Sequence, residues 1–488
     1  MIEYPRIVEN HVFKMNDQSL LFDVNRCKLF SIDDPTSVVA ELCDGRHVQA
    51  LRETAADILS LRKEEIDQLL SELDEAGLLS EAPSVIGSKF EELGVPTNYS
   101  VSALALHVIH DCNLRCAYCY GGGGDFGGER VAMSEEVALK AVDFLIRESG
   151  DQQSLNITFF GGEPLMNLPL IKKVTEYCRQ KERETGKTFN LGMTTNGTLL
   201  TDKTLKYLNE NRISVGISID GPKETHDKYR RYEDQSGSFD RLMEGTRKLL
   251  DSRDGRVTAR ITVTRDNLNI VDITKFISEL GFRKVNLALV STSDGSPLSI
   301  RKEDLHYIAE QYQQLAEEFI ASIKEKKRYF INVFTSRLEL LHNRKFMFYD
   351  CGAGRRYMAV SPEGGIYMCH RFVGMEEQRM GDLDHGFSED MLRDVVNSHV
   401  EQKEGCGDCW ARYMCGGGCF YNSVEKGGTL RSSPGDFCDS YKSLFETTMY
   451  LYHQLQSYDD TIIDRLLAPR GSNYFDEIDE MERRGELV

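Results

Sequence analysis

The stretch that most constrains this chain is residues 111–120, DCNLRCAYCY. It puts Cys112, Cys116 and Cys119 at spacings of four and three, directly after an apolar, strand-like run at 103–109. Three soft thiolates this close cannot close a tetrahedral zinc site without a fourth ligand. They can hold three irons of a cubane [4Fe–4S] cluster and leave the fourth iron open. On spacing alone a zinc knuckle stays the alternative.

Beyond this loop the chain reads as a parallel sheet. Strand patterns at 103–109, 155–160, 190–194, 214–219, 257–263 and 284–290 alternate with helical patterns at 134–148, 168–184, 202–209, 239–250, 270–280 and 302–324. Six such β/α units predict an α/β fold, a partial (β/α)6 barrel spanning 99–330, whose chemistry gathers at the C-terminal ends of its strands. The short motifs fall there. Gly161-Gly162-Glu163 follows the second strand, where paired glycines permit close backbone approach and Glu163 offers a carboxylate to an ammonium. Thr195-Asn196 follows the third strand, and Ser218 with Asp220 the fourth, as a ribose and a carboxyl tail require. Arg260 on the fifth strand points into or out of the barrel depending on register. His226-Asp227 and Arg230-Arg231 read equally well as a solvated loop.

Ahead of the barrel, residues 1–85 form a small module. Strand patterns at 11–14, 19–24 and 28–32 precede helical patterns at 35–43, 47–59 and 63–76, and a polar linker covers 81–98. Behind the barrel, a segment at 345–440 is rich in Gly, Cys and aromatics, and 441–488 reads as a helix with an acidic, solvated end. The chain carries 59 basic and 78 acidic side chains, a net charge of −19, which argues against nucleic acid or an anionic membrane as partner. No apolar stretch reaches bilayer length and the N-terminus shows no secretory signal, so a cytoplasmic location is expected. Of thirteen Cys, ten lie in the opening loop or from Cys351 onward. In a reducing compartment they read as metal ligands.

The C-x3-C-x2-C loop, with aromatic Tyr118 before its last Cys, resembles the cluster loop of the radical S-adenosylmethionine (SAM) enzymes. The GGE at 161–163 resembles the motif that holds the amino group of SAM. The resemblance implies that Cys112, Cys116 and Cys119 hold a [4Fe–4S] cluster whose free iron binds SAM. Thr195, Asn196, Ser218, Asp220 and Arg260 would contact the rest of the cofactor. A reduced cluster then cleaves SAM to a 5′-deoxyadenosyl radical, with electrons from a reductant such as flavodoxin or ferredoxin.

Cys351, Cys369, Cys406, Cys409, Cys415, Cys419 and Cys438 occur in the order of the SPASM extension of that family. By position, Cys406, Cys409, Cys415 and Cys438 would ligate a distal auxiliary cluster, and Cys351, Cys369 and Cys419 one nearer the active site. Sulfatase-maturing relatives carry a further Cys about six residues before the first near ligand and an Asp base after the second. Here 344–350 holds no Cys and the base position is His370. An open iron suits a thioether-forming peptide maturase, and the chain resembles relatives of the quinohemoprotein amine dehydrogenase maturase; a loop residue such as His342, or water, would otherwise fill the site. The first 85 residues resemble the winged-helix modules that bind the leader of a precursor peptide at a sheet edge. DNA binding is disfavoured by the acidic last helix, with Asp67, Glu72, Asp74 and Glu75. Other expected readings are a carbon–carbon crosslink, epimerisation or formylglycine formation, and, outside catalysis, an iron–sulfur electron carrier, which would have no use for SAM motifs.

Ten Cys dividing three, three and four predict three [4Fe–4S] clusters. Anaerobically purified protein is expected to carry about twelve irons with matching sulfide. Stoichiometric zinc without sulfide would exclude the scheme.

Overall fold

The alternation of apolar and polar residues along the barrel strands gives the sheet one face packed under helices and one face lining a lumen. A computed structural model describes residues 2–81, 88–95, 99–292, 295–327, 331–469 and 473–484. Three N-terminal strands, β1 (Asn10–Met15), β2 (Gln18–Asp23) and β3 (Lys28–Ile32), are followed by helices α1 (Asp34–Leu42), α2 (Val48–Leu59) and α3 (Lys63–Glu75). The barrel strands are β4 (Ala103–Ile109), β5 (Ser154–Gly161), β6 (Thr188–Thr195), β7 (Ser214–Ser218), β8 (Thr258–Val263) and β9 (Lys284–Leu289). Between and after them run α4 (Glu135–Glu148), α5 (Leu168–Thr185), α6 (Asp202–Glu210), α7 (Phe239–Ser252), α8 (Ile270–Glu279) and α9 (Leu305–Lys324).

Neighbouring barrel strands are parallel throughout. On β5, Leu155, Ile157 and Phe159 are buried, while Phe160, with the opposite parity, faces the lumen. Arg260 of β8 stands level with Ser218 of β7 and Asn286 of β9, and all three line the same lumen. Strand β4 carries no such alternation because Leu104 through Val108 are all buried. The elements not legible from the pattern include a short helix Lys223–Tyr229 and a helix Asn332–His342. The expected 302–324 helix begins as a 3-10 turn, Lys302–Asp304, before α9.

The Cys-rich segment does not stand apart from the barrel. Strand β10 (Tyr357–Val360) adds in parallel to β4, with Tyr357 opposite Ala103. Strands β11 (Gly365–Tyr367), β12 (Arg379–Asp382) and β13 (Gly386–Phe387) continue antiparallel, making one ten-stranded sheet. Helix α10 (Phe437–Tyr458) carries Cys438 and packs along α9. The chain end is also docked, since Tyr474 and Ile478 are buried and the Tyr474 hydroxyl donates to the Ile323 carbonyl (2.6 Å), so the solvated end expected there is only partly so. Half of the 81–98 linker lies outside the described residues; Lys89–Glu92 form one helical turn whose Phe90 stacks flat on His399. No helix among the described residues is long and apolar enough to cross a membrane.

Strand β2 explains how the N-terminal module attaches. Leu21 joins a small core with Val39, Leu51 and Leu70, while Leu20 and Phe22, on the other face, join the main core. Polar contacts reinforce the seam. Glu9 takes Arg412, whose side chain is fully buried, in a two-pronged ion pair. His11 stacks on Trp410 with ring centroids 3.8 Å apart and 2° between planes, and its Nε2 lies 2.8 Å from Glu446. Thus β1 faces the body of the protein and β3 is the outer edge, with no further strand on it among the described residues.

Removing one partner of a buried ion pair strands the other charge, a cost of about 3–5 kcal/mol. Glu9→Ala is therefore expected to lower the opening free energy of β1 by about 3 kcal/mol, the low end because Glu9 is partly solvated, read as faster amide hydrogen exchange in residues 10–15. Unchanged protection would assign the docking to the apolar face alone.

Candidate active site

The loop after β4 is shaped by its own side chains, with Asp111 accepting from Cys112 N–H (2.8 Å) and Arg115 donating to the Leu114 carbonyl (3.0 Å), and by the backbone around it. Arg115 N–H donates to the Arg231 carbonyl (2.7 Å) and Ala117 N–H to the Tyr229 carbonyl (3.0 Å). From β5, Gly162 N–H donates to the Ile109 carbonyl (3.0 Å) and Glu163 N–H to the Asp111 carbonyl (2.9 Å). A Cβ on Gly161 would stand 2.1 Å from the Ile109 oxygen, and one on Gly162 1.9 Å from the Asp111 oxygen. The glycine pair is thus required by backbone packing on the cysteine loop, in addition to bordering the cavity.

That cavity, about 280 Å³, opens at the C-terminal ends of the barrel strands. Cys112, Cys116, Tyr118 and Cys119 line one side, and Gly161, Gly162, Thr195, Asn196, Ser218 and Arg260 line the facing strand ends. Two expected contacts do not reach it. Glu163 is buried with its carboxylate occupied by Thr195 Oγ1 (2.7 Å), Asn196 N–H (2.8 Å) and Leu165 N–H (3.0 Å). Burial raises its pKa and those donors oppose the rise. It braces the β6 end instead of offering a free carboxylate to an ammonium. Asp220 likewise is fully buried and does not border the cavity. Its carboxylate accepts from the Tyr118 hydroxyl, from Arg230 Nε (2.7 Å) and from Thr262 N–H (3.0 Å). Although burial works to raise the Asp220 pKa, the Arg230 guanidinium outweighs it and holds the carboxyl below the usual range.

Arg230, left undecided by the sequence, therefore belongs to the site. It lies over the Tyr118 ring at 5.3 Å and points Nη1 toward Cys116 Sγ at 4.0 Å. The signal that could have found it is Asp220: a carboxylate buried at a strand end is satisfied either by neutral donors, as Glu163 is, or by a cation close in sequence, as Arg230 is. His226 is buried too, close to the Asp220 N–H and 3.0 Å from Ser238 Oγ, and burial with the Arg230 charge pushes it down to about 3.

Among the described residues the cavity wall holds no Asp or Glu. Arg260 projects into it and forms no ion pair among the described residues, so the undecided register resolves inward. Opposite it are His370 and Arg371, directly after Cys369. Arg371 stacks on Tyr421 (4.0 Å) and Tyr120 (5.4 Å), and His370 Nδ1 lies 2.7 Å from the Tyr357 hydroxyl. Such a site favours an anionic group in a water-poor pocket.

Burial pushes the Cys112 thiol up to about 12 and Cys116 to about 11, so a bound cation is needed to make them thiolates at neutral pH. Hydrogen-bond donors are already aimed at sulfur, with Leu114 N–H 3.4 Å and Asn196 Nδ2 3.8 Å from Cys112 Sγ. Charge interactions group the later cysteines into two sets. Cys351 senses Cys369 and Cys419, whereas Cys406 senses Cys409 and Cys438, and Cys415 senses Cys406 and Cys438. Among the described residues no three His, Cys, Asp or Glu converge on a single ion position. A donor set made of soft thiolates alone is the chemistry an iron–sulfur cluster takes. His342 is turned to Asp464 (2.8 Å) and Tyr452 rather than to these sulfurs.

Comparisons with known proteins agree with this geometry. Residues 106–277 match the Radical SAM superfamily. The chain is 31% identical over 350 residues to an uncharacterized protein of Archaeoglobus fulgidus, covering 70% of this chain and 79% of that one. It is 24% identical over 363 residues to the cysteine-type anaerobic sulfatase-maturating enzyme of Clostridium novyi, covering 71% and 95% respectively. Its fold resembles Streptococcus suis SuiB bound to precursor peptide SuiA, with a TM-score of 0.52 over 89% of this chain and 99% of that one at 15% identity.

If Asp220 positions Tyr118 and Arg230 around the cysteine loop, Asp220→Asn should leave iron bound but weaken SAM at least about tenfold, about 1.4 kcal/mol, in equilibrium dialysis. Wild-type affinity in that variant would show that the network is only structural.

Proposed function

The chain belongs to the radical SAM superfamily, and from that premise we propose that it is a maturase of a ribosomally made peptide, joining a Cys sulfur to a carbon of a nearby residue. When bound, the cluster and SAM supply radical chemistry able to take a hydrogen atom from an unactivated carbon. The chain's own part is to bind, orient and exclude water. Cys112, Cys116 and Cys119 would ligate the cluster, with Tyr118, Asp220 and Arg230 keeping the loop in place. Unpaired Arg260 is suited to the SAM carboxylate, and Thr195, Asn196 and Ser218 to its other polar groups. Glu163 would act through the β6 end that it braces. Tyr120, Phe126 and Phe160 give the cavity apolar walls.

The observation that carries the thioether reading is the make-up of the near cysteine set. Cys351, Cys369 and Cys419 have no fourth Cys in 344–350, and His370 and Arg371, directly after Cys369, border the cavity. A cluster held by three protein ligands has a corner that prefers a soft thiolate, which would bring a substrate sulfur beside the reacting carbon. The distal cluster would sit on Cys406, Cys409, Cys415 and Cys438, making three clusters in all, reduced by a flavodoxin or ferredoxin.

The precursor's leader would be held by residues 1–85. Outer strand β3 supports this, because its edge is open to strand addition while β1 is docked. SuiB, whose fold this chain shares, is described bound to its precursor peptide. A second reading, oxidation of Cys or Ser to formylglycine, is favoured by the match to the Clostridium novyi enzyme. Against it stand His370 where an Asp base is expected and the missing fourth Cys.

A small Cys-rich reading frame beside the gene, where one is found, is the substrate to try. Forming a C–S bond removes one hydrogen from carbon and one from sulfur, so the product should be lighter by two hydrogens per crosslink, with that Cys no longer alkylatable. Changing the substrate Cys to Ser should block the reaction, a hydroxyl being a harder and less acidic ligand. Equal conversion of the Ser peptide, or an aldehyde on the product, would restore the second reading.

A further inference from the structure

Lys403 is a buried cation with no anion beside it. It is 3% exposed, and its ammonium donates to the Gly417 carbonyl and the Ser423 hydroxyl, each at 2.8 Å. A third neighbour is the Phe420 ring, 4.8 Å away. All three are neutral, and Lys403 forms no ion pair among the described residues. The carboxylate that acts on it, Asp350, is engaged by Arg337 at 3.0 Å. Burial of an ammonium among neutral groups is unfavourable unless an anion compensates it.

The position was made for this side chain. A Cβ on Gly417, whose φ is +82°, would stand 2.7 Å from Lys403 Cδ. The backbone ties it to both cysteine sets. Cys406 N–H donates to the Lys403 carbonyl (3.1 Å), Gly417 lies between Cys415 and Cys419, and Ser423 N–H donates to the Cys419 carbonyl (3.0 Å). The sulfurs that act on its charge are Cys406 and Cys415 of the distal set and Cys419 of the near set.

We infer that Lys403 is a fixed counter-charge shared by two auxiliary iron–sulfur clusters, raising the reduction potential of both. The inference rests on the reading that the seven later cysteines carry those clusters. A cubane in thiolate ligation is net anionic, and reduction adds to that charge, so a buried cation between two such groups favours their reduced forms. Two of its protons are held by Gly417 and Ser423, which fixes the charge in place. As a positioning residue it touches neither SAM nor peptide.

The test is an EPR-monitored redox titration of anaerobic holoprotein, with iron and sulfide counted first. Wild-type protein holding only the opening-loop cluster would overturn this inference together with the three-cluster reading. With about twelve irons present, Lys403→Gln, which keeps a donor without the charge, and Lys403→Met, which keeps neither, should both lower the two auxiliary midpoints. The opening-loop midpoint should stay in place, and Lys403→Arg should hold all three near wild type. Fully loaded Gln and Met variants with unshifted potentials would overturn the inference and leave the three clusters standing. Should the neutral variants lose auxiliary iron, retention by Lys403→Arg supports the counter-charge. Loss in all three variants makes Lys403 a mere strut and overturns it.

Discussion

Three cysteines can face one cluster only if the loop carrying them is held from outside, and that constraint organises the top of this barrel. The loop has no helix or strand of its own between Asp111 and Tyr120. Besides its own side-chain bonds, its shape comes from backbone bonds to the Tyr229 and Arg231 carbonyls on one side and from the Gly161-Gly162 turn on the other. The turn fits because neither residue has a Cβ, and Glu163 then locks the next strand end through Thr195 and Asn196. Asn196 in turn reaches back to Asn113 in the loop (2.9 Å). The strand ends and the loop therefore specify each other, which is the preorganisation a radical site needs before any cofactor arrives.

Buried charges in this molecule are either hydrogen-bonded by neutral donors, as Glu163 is, or matched by an opposite charge. Asp220 is neutralised by Arg230 and Glu9 by Arg412, each pair fixing two distant segments. Those guanidiniums are spent on architecture. Arg260 and Arg371 border the cavity and Lys403 lies near cysteines, all without a carboxylate in ion-pair contact among the described residues, and of the three only Lys403 is buried. Since an uncompensated buried cation is costly, the position of Lys403 points to an anion supplied from outside the chain.

Much of this was legible in the sequence, and the limits have physical causes. Barrel strands announce themselves because outward positions such as Leu155, Ile157 and Phe159 must be apolar under the helices. The cysteine spacings are local and so readable. Which way a carboxylate turns is not local: Glu163 and Asp220 sit at the expected strand ends, yet both turn away from the cavity to partners 32 and 10 residues distant. Arg230 was ambiguous for the same reason. The addition of Tyr357–Val360 to the Ala103–Ile109 strand joins segments 254 residues apart, and nothing in either stretch encodes its neighbour. Helix Asn332–His342 escaped because a weakly amphipathic stretch gives a periodic reading little to grip.

The same nonlocality bears on how independent the N-terminal module can be. A strand with both faces buried cannot be peeled from the body without exposing Leu20 and Phe22, which lie in the main core. Its neighbour β1 rests on Trp410 and Arg412, the residues just past Cys409, and Arg412 Nη1 donates to the Cys409 carbonyl at 3.2 Å. Lys403 joins the Cys406 turn to the segment carrying Cys419, and Cys369, of the same set as Cys419, is followed by the cavity residues His370 and Arg371. The N-terminal sheet is therefore packed directly on the Cys-rich segment rather than hung from it by a linker, so the two regions that composition separates share one core.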